Sequence, residues 1–266
     1  MRGRRIKLSI QRRMVIDFLH FARGVPTVPV QKHMSLGELA AARAACQSRP
    51  RWTAIFVKAF ALVAEEVPEL RRAYVKIPWP HLYEFPTSKA VIMVERDYDG
   101  EPALCPISVK DPASQPLSAI GELIERASTA PLENLKEFQR WKRIARMPRP
   151  LRRLLWWMGL NIGRQRGNFF GTFSVSVYSG LNAESLHPLS TYTALLNYGV
   201  MDGNGHVAAR IIYDHRVMDG ATIARALQRM EKILNSVVLE EVQSLPRAAA
   251  RTNGQPTPKM AAGGGG

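Results

Sequence analysis

The sequence predicts one mixed α/β domain, on three observations. Apolar residues at helical spacing alternate with short β-branched runs from the first residues to about Leu245, the pattern of one sheet covered by helices rather than of two separate units. Hydrophobic residues make up 46% and charged residues 22% of the 266-residue chain, which is enough for a core and excludes a wholly disordered or collagen-like chain. After Leu245 the composition turns to Pro, Ala, Gly, Thr and Gln, so the expected division is a domain at 1–245 and a disordered tail at 246–266.

The elements follow in order. Met14 to Leu19 reads as a helix, and residues 25–30 begin a strand interrupted by Pro26 and Pro29. Ser35-Leu36-Gly37-Glu38 has the Ser-x-x-Glu spacing of a capping box, predicting a helix through about Cys46. Thr53 opens another, with Phe56, Ala59, Phe60 and Val63 on one face and Pro68 as its stop. Ala90 to Glu95 and Ala103 to Ile107 read as strands on either side of the turn signal Asp97-Tyr98-Asp99-Gly100. Leu117, Ile120 and Ile124 mark an amphipathic helix over 117–127. Strands at 172–178, 192–200 and 207–213 precede a closing helix marked by Ile223, Leu227, Met230 and Leu234. No internal repeat is evident.

Charge narrows the partners. Lys and Arg number 37 against 22 Asp and Glu, a net +15 that must meet nucleic acid, an anionic membrane face or a polyphosphorylated small molecule. Ten of the basic residues lie between Lys136 and Arg166 with a single acid, Glu137. No nucleic-acid recognition signature accompanies them, so nucleic acid is not expected. The same segment carries Trp156-Trp157 among leucines, and its stretch 141–166 fits either a helix lying on an anionic bilayer or one packed on the core. Two cysteines, Cys46 and Cys105, make neither a disulfide framework nor a zinc site, and the histidines show no metal-binding spacing. Lys7, Arg12 and Arg13 interrupt what a secretory signal would need as its apolar stretch, and no run is long enough to span a bilayer. The expected location is the cytoplasm, with peripheral membrane contact through 141–166.

The segment Tyr213-Asp214-His215-Arg216-Val217-Met218-Asp219-Gly220-Ala221 concentrates polar chemistry where an apolar strand ends and a helix begins. Histidine titrates near neutrality and has two distinct ring nitrogens, so one can be oriented while the other takes a proton. Asp219 can hold the turn or cap the following helix, and Gly220 permits a close approach. The string His-x-x-x-Asp-Gly resembles the active-site signature of the dihydrolipoyl acyltransferase component of 2-oxoacid dehydrogenase complexes, whose catalytic domain shares the chloramphenicol acetyltransferase fold. The resemblance continues in Thr53-Ala54-Ile55-Phe56-Val57-Lys58-Ala59 with Glu66-Val67-Pro68-Glu69-Leu70, in Gly171-Thr172-Phe173-Ser174-Val175-Ser176, in Leu196-Asn197-Tyr198-Gly199-Val200 and in the basic helix over 6–19, covering about residues 6–240 in the family's order.

That resemblance implies a chloramphenicol acetyltransferase-like two-layer sandwich, a mixed sheet with packing helices, assembled as a homotrimer. It implies His215 as general base, Ser176 as donor to the oxyanion, and Asp219 paired with an arginine of the first helix, Arg13 or else Arg12, with Asp214 and Gly220 in support. Acyl-CoA would be the donor, no metal would be needed, and the base and the oxyanion donor would come from adjacent subunits. The departures are as informative. The chain carries no lipoyl attachment site, Val177 and Tyr178 replace an Asn-Leu pair, 97–102 replaces a Gly-Leu-Val-x-Pro loop, and 136–166 is a longer, more basic, Trp-containing insertion. The expected activity is a CoA-dependent acyltransferase acting on a thiol, hydroxyl or amine. The alternatives are the core of a 2-oxoacid dehydrogenase complex served by a lipoyl domain on another chain, and a non-catalytic basic membrane-binding module.

Overall fold

The computed structural model describes residues 1–177, 183 and 185–248. In chain order the elements are α1 (Ile10–Ala22), β1 (Thr27–Ser35), α2 (Gly37–Ala44), α3 (Trp52–Glu66), β2 (Arg72–Val75), β3 (His81–Glu84), β4 (Lys89–Tyr98), β5 (Glu101–Lys110), α4 (Leu117–Thr129), α5 (Lys136–Arg146), α6 (Arg149–Asn161), α7 (Gly163–Phe170), β6 (Phe173–Val175), β7 (Ala194–Tyr198), β8 (His206–Asp214), α8 (Gly220–Leu234) and α9 (Val237–Gln243). Six strands form one sheet in the order β1-β8-β7-β6-β4-β5, and β2 with β3 forms a separate hairpin. The sheet is mixed, because β6 runs parallel to both β4 and β7 while the other pairs are antiparallel.

Helix α3 is the centre of the core. Its residues from Ala54 to Ala61 are buried all round, as a helix apolar on every side must be. Phe60 meets Phe173 with ring centroids 4.3 Å apart, and Phe56 stacks on Tyr198 at 4.1 Å, which fixes α3 against β6 and β7. The apolar stripe of α8 packs beside it through Ile223, Leu227, Met230 and Leu234. This face of the sheet gives the expected two-layer sandwich.

Several boundaries differ from the pattern reading for identifiable reasons. Pro29 does not interrupt β1, because β1 is an edge strand and one face of its backbone needs no partner. The capping box at Ser35 does not form: Ser35 is the last residue of β1, its N–H donates to Glu231 (2.9 Å) and its hydroxyl meets His206 Nδ1 (3.1 Å). The expected turn at 97–102 is a two-residue hairpin, with Asp99 and Gly100 both at positive φ and the strands continuing to Tyr98 and from Glu101. Pro246 and Ala248 bond back to Gln47 and Ala45, so tertiary contact extends past the expected boundary at 245; the remaining tail residues 249–266 lie outside the described residues.

The insertion forms α5, α6 and α7, which with α1 make a partial third layer on the far side of the sheet. Trp156 packs against Phe18, Phe21 and Phe170, and Trp141 stacks on Phe138, so these two anchors serve the fold. The fully buried Asp17 of α1 binds Arg152 and Arg153 of α6, which ties the two helices together. Leu151, Leu154, Leu155, Trp157 and Met158 of α6 remain exposed.

Candidate active site

His215 sits in the turn between β8 and α8. Its backbone N–H donates to the Pro26 carbonyl (3.0 Å), and its ring lies 5.6 Å from that of Tyr213, so the strand end holds it while about half of the side chain faces solvent. Asp219 occupies the N-cap position of α8 yet makes no side-chain cap; its carboxylate turns to His215 Nδ1 at 3.6 Å. That is longer than a hydrogen bond. Gly220 serves the close approach its position suggested, since a Cβ there would stand 3.3 Å from the Tyr213 hydroxyl.

Among the described residues no arginine is bonded to Asp219. Arg13 instead donates to the Leu8 carbonyl (3.3 Å), and Asp219 is largely exposed. The residue that draws arginine is Asp214, because it is fully buried and a buried carboxylate requires a partner. Arg216 grips it through Nε (2.9 Å) and Nη2 (2.7 Å), while the Arg216 backbone N–H adds a third bond (3.1 Å). Arg216 also lies over the Tyr74 ring at 4.5 Å. Behind it Arg166 of α7 is buried and donates to the carbonyls of Tyr74, Leu160 and Thr191. Burial pulls its pKa down to about 10 while Asp214 opposes the shift. The basic insertion thus comes up behind the histidine turn through Arg166, Tyr74 and the Arg216–Asp214 pair, a cluster that spacing along the chain does not disclose.

Ser176 follows β6. Its N–H donates to the Leu196 carbonyl (3.1 Å) and its carbonyl accepts from Asn197 Nδ2 (2.7 Å). The register then separates it from His215. Ser176 lies beside Asn197, Asn197 pairs with Arg210, and His215 is five residues further along β8, so the two are about 16 Å apart along the strands at ~3.3 Å per residue, at opposite ends of the sheet. They cannot grip one carbonyl within a single chain.

Ser176 opens instead into a cavity of about 1130 Å³ between the outer face of the sheet and α1, α5, α6 and α7. Ser174, two residues earlier on the same face, lines it as well; its hydroxyl is buried and has no partner among the described residues. Sequence reasoning missed Ser174, although its period-two spacing from Ser176 was the available signal. At the other end of the sheet, where Thr27 pairs with Asp214, His187 Nε2 meets the Thr27 hydroxyl (2.9 Å). Among the described residues no group of His, Cys, Asp and Glu could hold a metal, and no helix is long and apolar enough to cross a membrane.

No family model matches this sequence, and no curated protein matches it. Solved structures do. A probable dihydrolipoamide acetyltransferase from Listeria monocytogenes superposes with a TM-score of 0.63 at 13% identity, covering 92% of this chain and 98% of that one. The truncated catalytic core of the 2-oxoacid dehydrogenase multienzyme complex from Thermoplasma acidophilum gives 0.65 at 16%, covering 88% and 99%. The chain has the dihydrolipoamide acetyltransferase core fold. A third neighbour with this acyltransferase-core fold, the Azotobacter vinelandii dihydrolipoamide acetyltransferase, gives 0.63 at 17%, covering 89% and 93%, and was studied for the role of a serine, a histidine and an asparagine in its catalytic mechanism. The fold suggested by the motifs is therefore the fold adopted, with the insertion as an added layer.

Proposed function

We propose that this protein is an acyl-CoA-dependent acyltransferase working as a homotrimer, in which His215 of one copy and Ser176 of the next flank the same reacting carbonyl. The observation that supports this most is the placement of the two residues at opposite ends of one sheet, each accessible, in a fold shared with acetyltransferase cores. The histidine and asparagine studied in the Azotobacter enzyme are four residues apart, the spacing of His215 and Asp219 here.

In the reaction, His215 takes the proton of a thiol, hydroxyl or amine as that group attacks the thioester carbon. Asp219, facing Nδ1, keeps the proton on that nitrogen so that Nε2 is the base, and stabilises the imidazolium once formed. The Ser176 hydroxyl donates to the tetrahedral oxyanion. Collapse breaks the carbon–sulfur bond, and the CoA thiolate leaves with the proton returned by His215.

A thiol-release assay tests the reading: CoA release should depend on an added acceptor, with acetyl- to palmitoyl-CoA offered against cell lipids and free dihydrolipoamide. Release to dihydrolipoamide alone would favour service to a lipoyl domain carried by another chain, and no release with any pair would leave only a binding module. Ser176→Ala should lower kcat by ~10²–10³ with little change in CoA affinity, because the lost bond exists in the transition state. Unchanged turnover would remove Ser176 from the mechanism.

The location proposed is cytoplasmic with peripheral membrane contact. Both described cysteines are free and buried, and burial raises the Cys105 thiol to about 11. Exposed Leu151, Leu154 and Met158 of α6 lie at helical spacing on one face within the strongly basic segment 136–166, the make-up of a helix that rests on anionic lipid. Leu151→Glu with Leu154→Glu should abolish co-flotation with phosphatidylglycerol vesicles, and flotation equal to wild type would end the membrane assignment.

A further inference from the structure

The outer face of the sheet is lined but not filled. Side chains alternate along β4, β5 and β6: Ala90, Ile92, Val109, Phe173 and Val175 enter the core, while Val91, Met93, Ser108 and Ser174 turn the other way. Helices α1, α6 and α7 stand off from that second face, leaving the cavity of about 1130 Å³, above the ~300–1,000 Å³ of ordinary small-molecule sites. Met14 and Phe18 of α1, Trp156 of α6 and Phe170 of α7 form its far wall. Apolar walls left this far apart forgo dispersion contacts, and the natural occupant of such space is itself apolar.

The cavity is polarised. Lys89 pairs with Lys110 at one end of the β4–β5 ladder, and Arg140 of α5, lying over Phe169 at 3.7 Å, joins them on the lining. Lys89 Nζ donates to the Asn168 carbonyl (2.5 Å), and its pKa is lowered by burial and then by Lys110 and Arg140, so the three cations lie within electrostatic reach of one another. Glu137 is the one acid among the described residues of the lining. Four residues along the same face, about 13 Å at ~3.3 Å per residue, Met93 and Ser176 mark the opposite, apolar end. Between them lies Ser174, whose hydroxyl is buried and without a partner among the described residues.

We infer that this cavity binds a long-chain acyl amphiphile, with its anionic head on Lys89, Lys110 and Arg140 and its aliphatic chain running past Met93 between α1 and α6. The inference rests on the acyltransferase reading only in making this chain the group transferred at Ser176. Binding is independent of it. Each methylene buried contributes about 0.8 kcal/mol, roughly a fourfold gain in affinity.

Titration calorimetry with palmitic acid, palmitoyl-CoA and acetyl-CoA on the intact chain tests the site. Palmitoyl-CoA should bind at least ~100-fold more tightly than acetyl-CoA. Met93→Trp, which fills the apolar end, should weaken it at least tenfold, and Lys110→Glu, at an exposed position, should weaken it severalfold with no change in melting temperature. Palmitic acid binding as tightly as palmitoyl-CoA would support the site and place a carboxylate on the cations, whereas tight binding of palmitoyl-CoA alone would support it with the CoA phosphates there. Equal affinity for acetyl- and palmitoyl-CoA, or no binding of either palmitoyl ligand, would overturn the inference even if acetyl transfer proceeds. Chain-length-dependent binding without transfer from any donor would instead overturn the catalytic reading and leave the site standing.

Discussion

His215→Ala should cost ~10²–10⁴ in kcat for acyl transfer, the range for loss of a positioned general base. The argument is geometric before it is chemical. The backbone of His215 is anchored to Pro26, its neighbour Asp214 is clamped by Arg216, and its ring is half exposed with Asp219 at Nδ1, so the free nitrogen faces outward from a rigid turn. Because the general base acts on the acceptor's proton and touches neither the acyl chain nor the cations Lys89, Lys110 and Arg140, the substitution should leave acyl-CoA binding in the cavity unchanged. Steady-state kinetics paired with calorimetry separates these effects: a large kcat loss with unchanged affinity is expected, and near-wild-type turnover would remove His215 from the chemistry. A further consequence concerns assembly. Mixed trimers of His215→Ala and Ser176→Ala chains should recover part of the activity, because some interfaces then join an intact histidine to an intact serine.

Asp17→Asn should destabilise the fold by about 3–5 kcal/mol, the scale for breaking a buried ion pair and leaving one charge uncompensated. Asp17 is 0% exposed and Arg152 6%, and among the described residues Arg152 otherwise reaches only the Ala145 and Met147 carbonyls at 3.4 and 3.2 Å. The pair closes α6 over α1, so its loss should also loosen the cavity wall around Trp156. Urea denaturation measures the effect directly. The double variant Asp17→Leu with Arg152→Leu should regain most of the loss, because removing both charges removes the desolvation penalty along with the attraction. A single variant as stable as wild type would show that the third layer does not depend on this bond.

Residues with local patterns announced themselves. The apolar stripe of α8 and the turn signal Asp99-Gly100 are short-range features whose physics is complete within a few residues, and both appear where the pattern placed them. The capping box at Ser35 was equally local in form, but His206 and Glu231, far along the chain, claimed the serine first. The tight binding of Asp214 rather than Asp219 shows the same limit. Both carboxylates stand in one motif, and only burial decides which of them must have an arginine.

Order along the chain was enough to set the mixed α/β class, the strand that leads into Ser176 and the histidine turn, because side-chain periodicity and turn chemistry act between near neighbours. Which end of the sheet each residue reaches, which helices stand away from its outer face, and the size and polarity of the space they enclose were decided by tertiary structure alone. Register and packing are set by contacts between residues such as Asp17 and Arg152 that no local pattern relates.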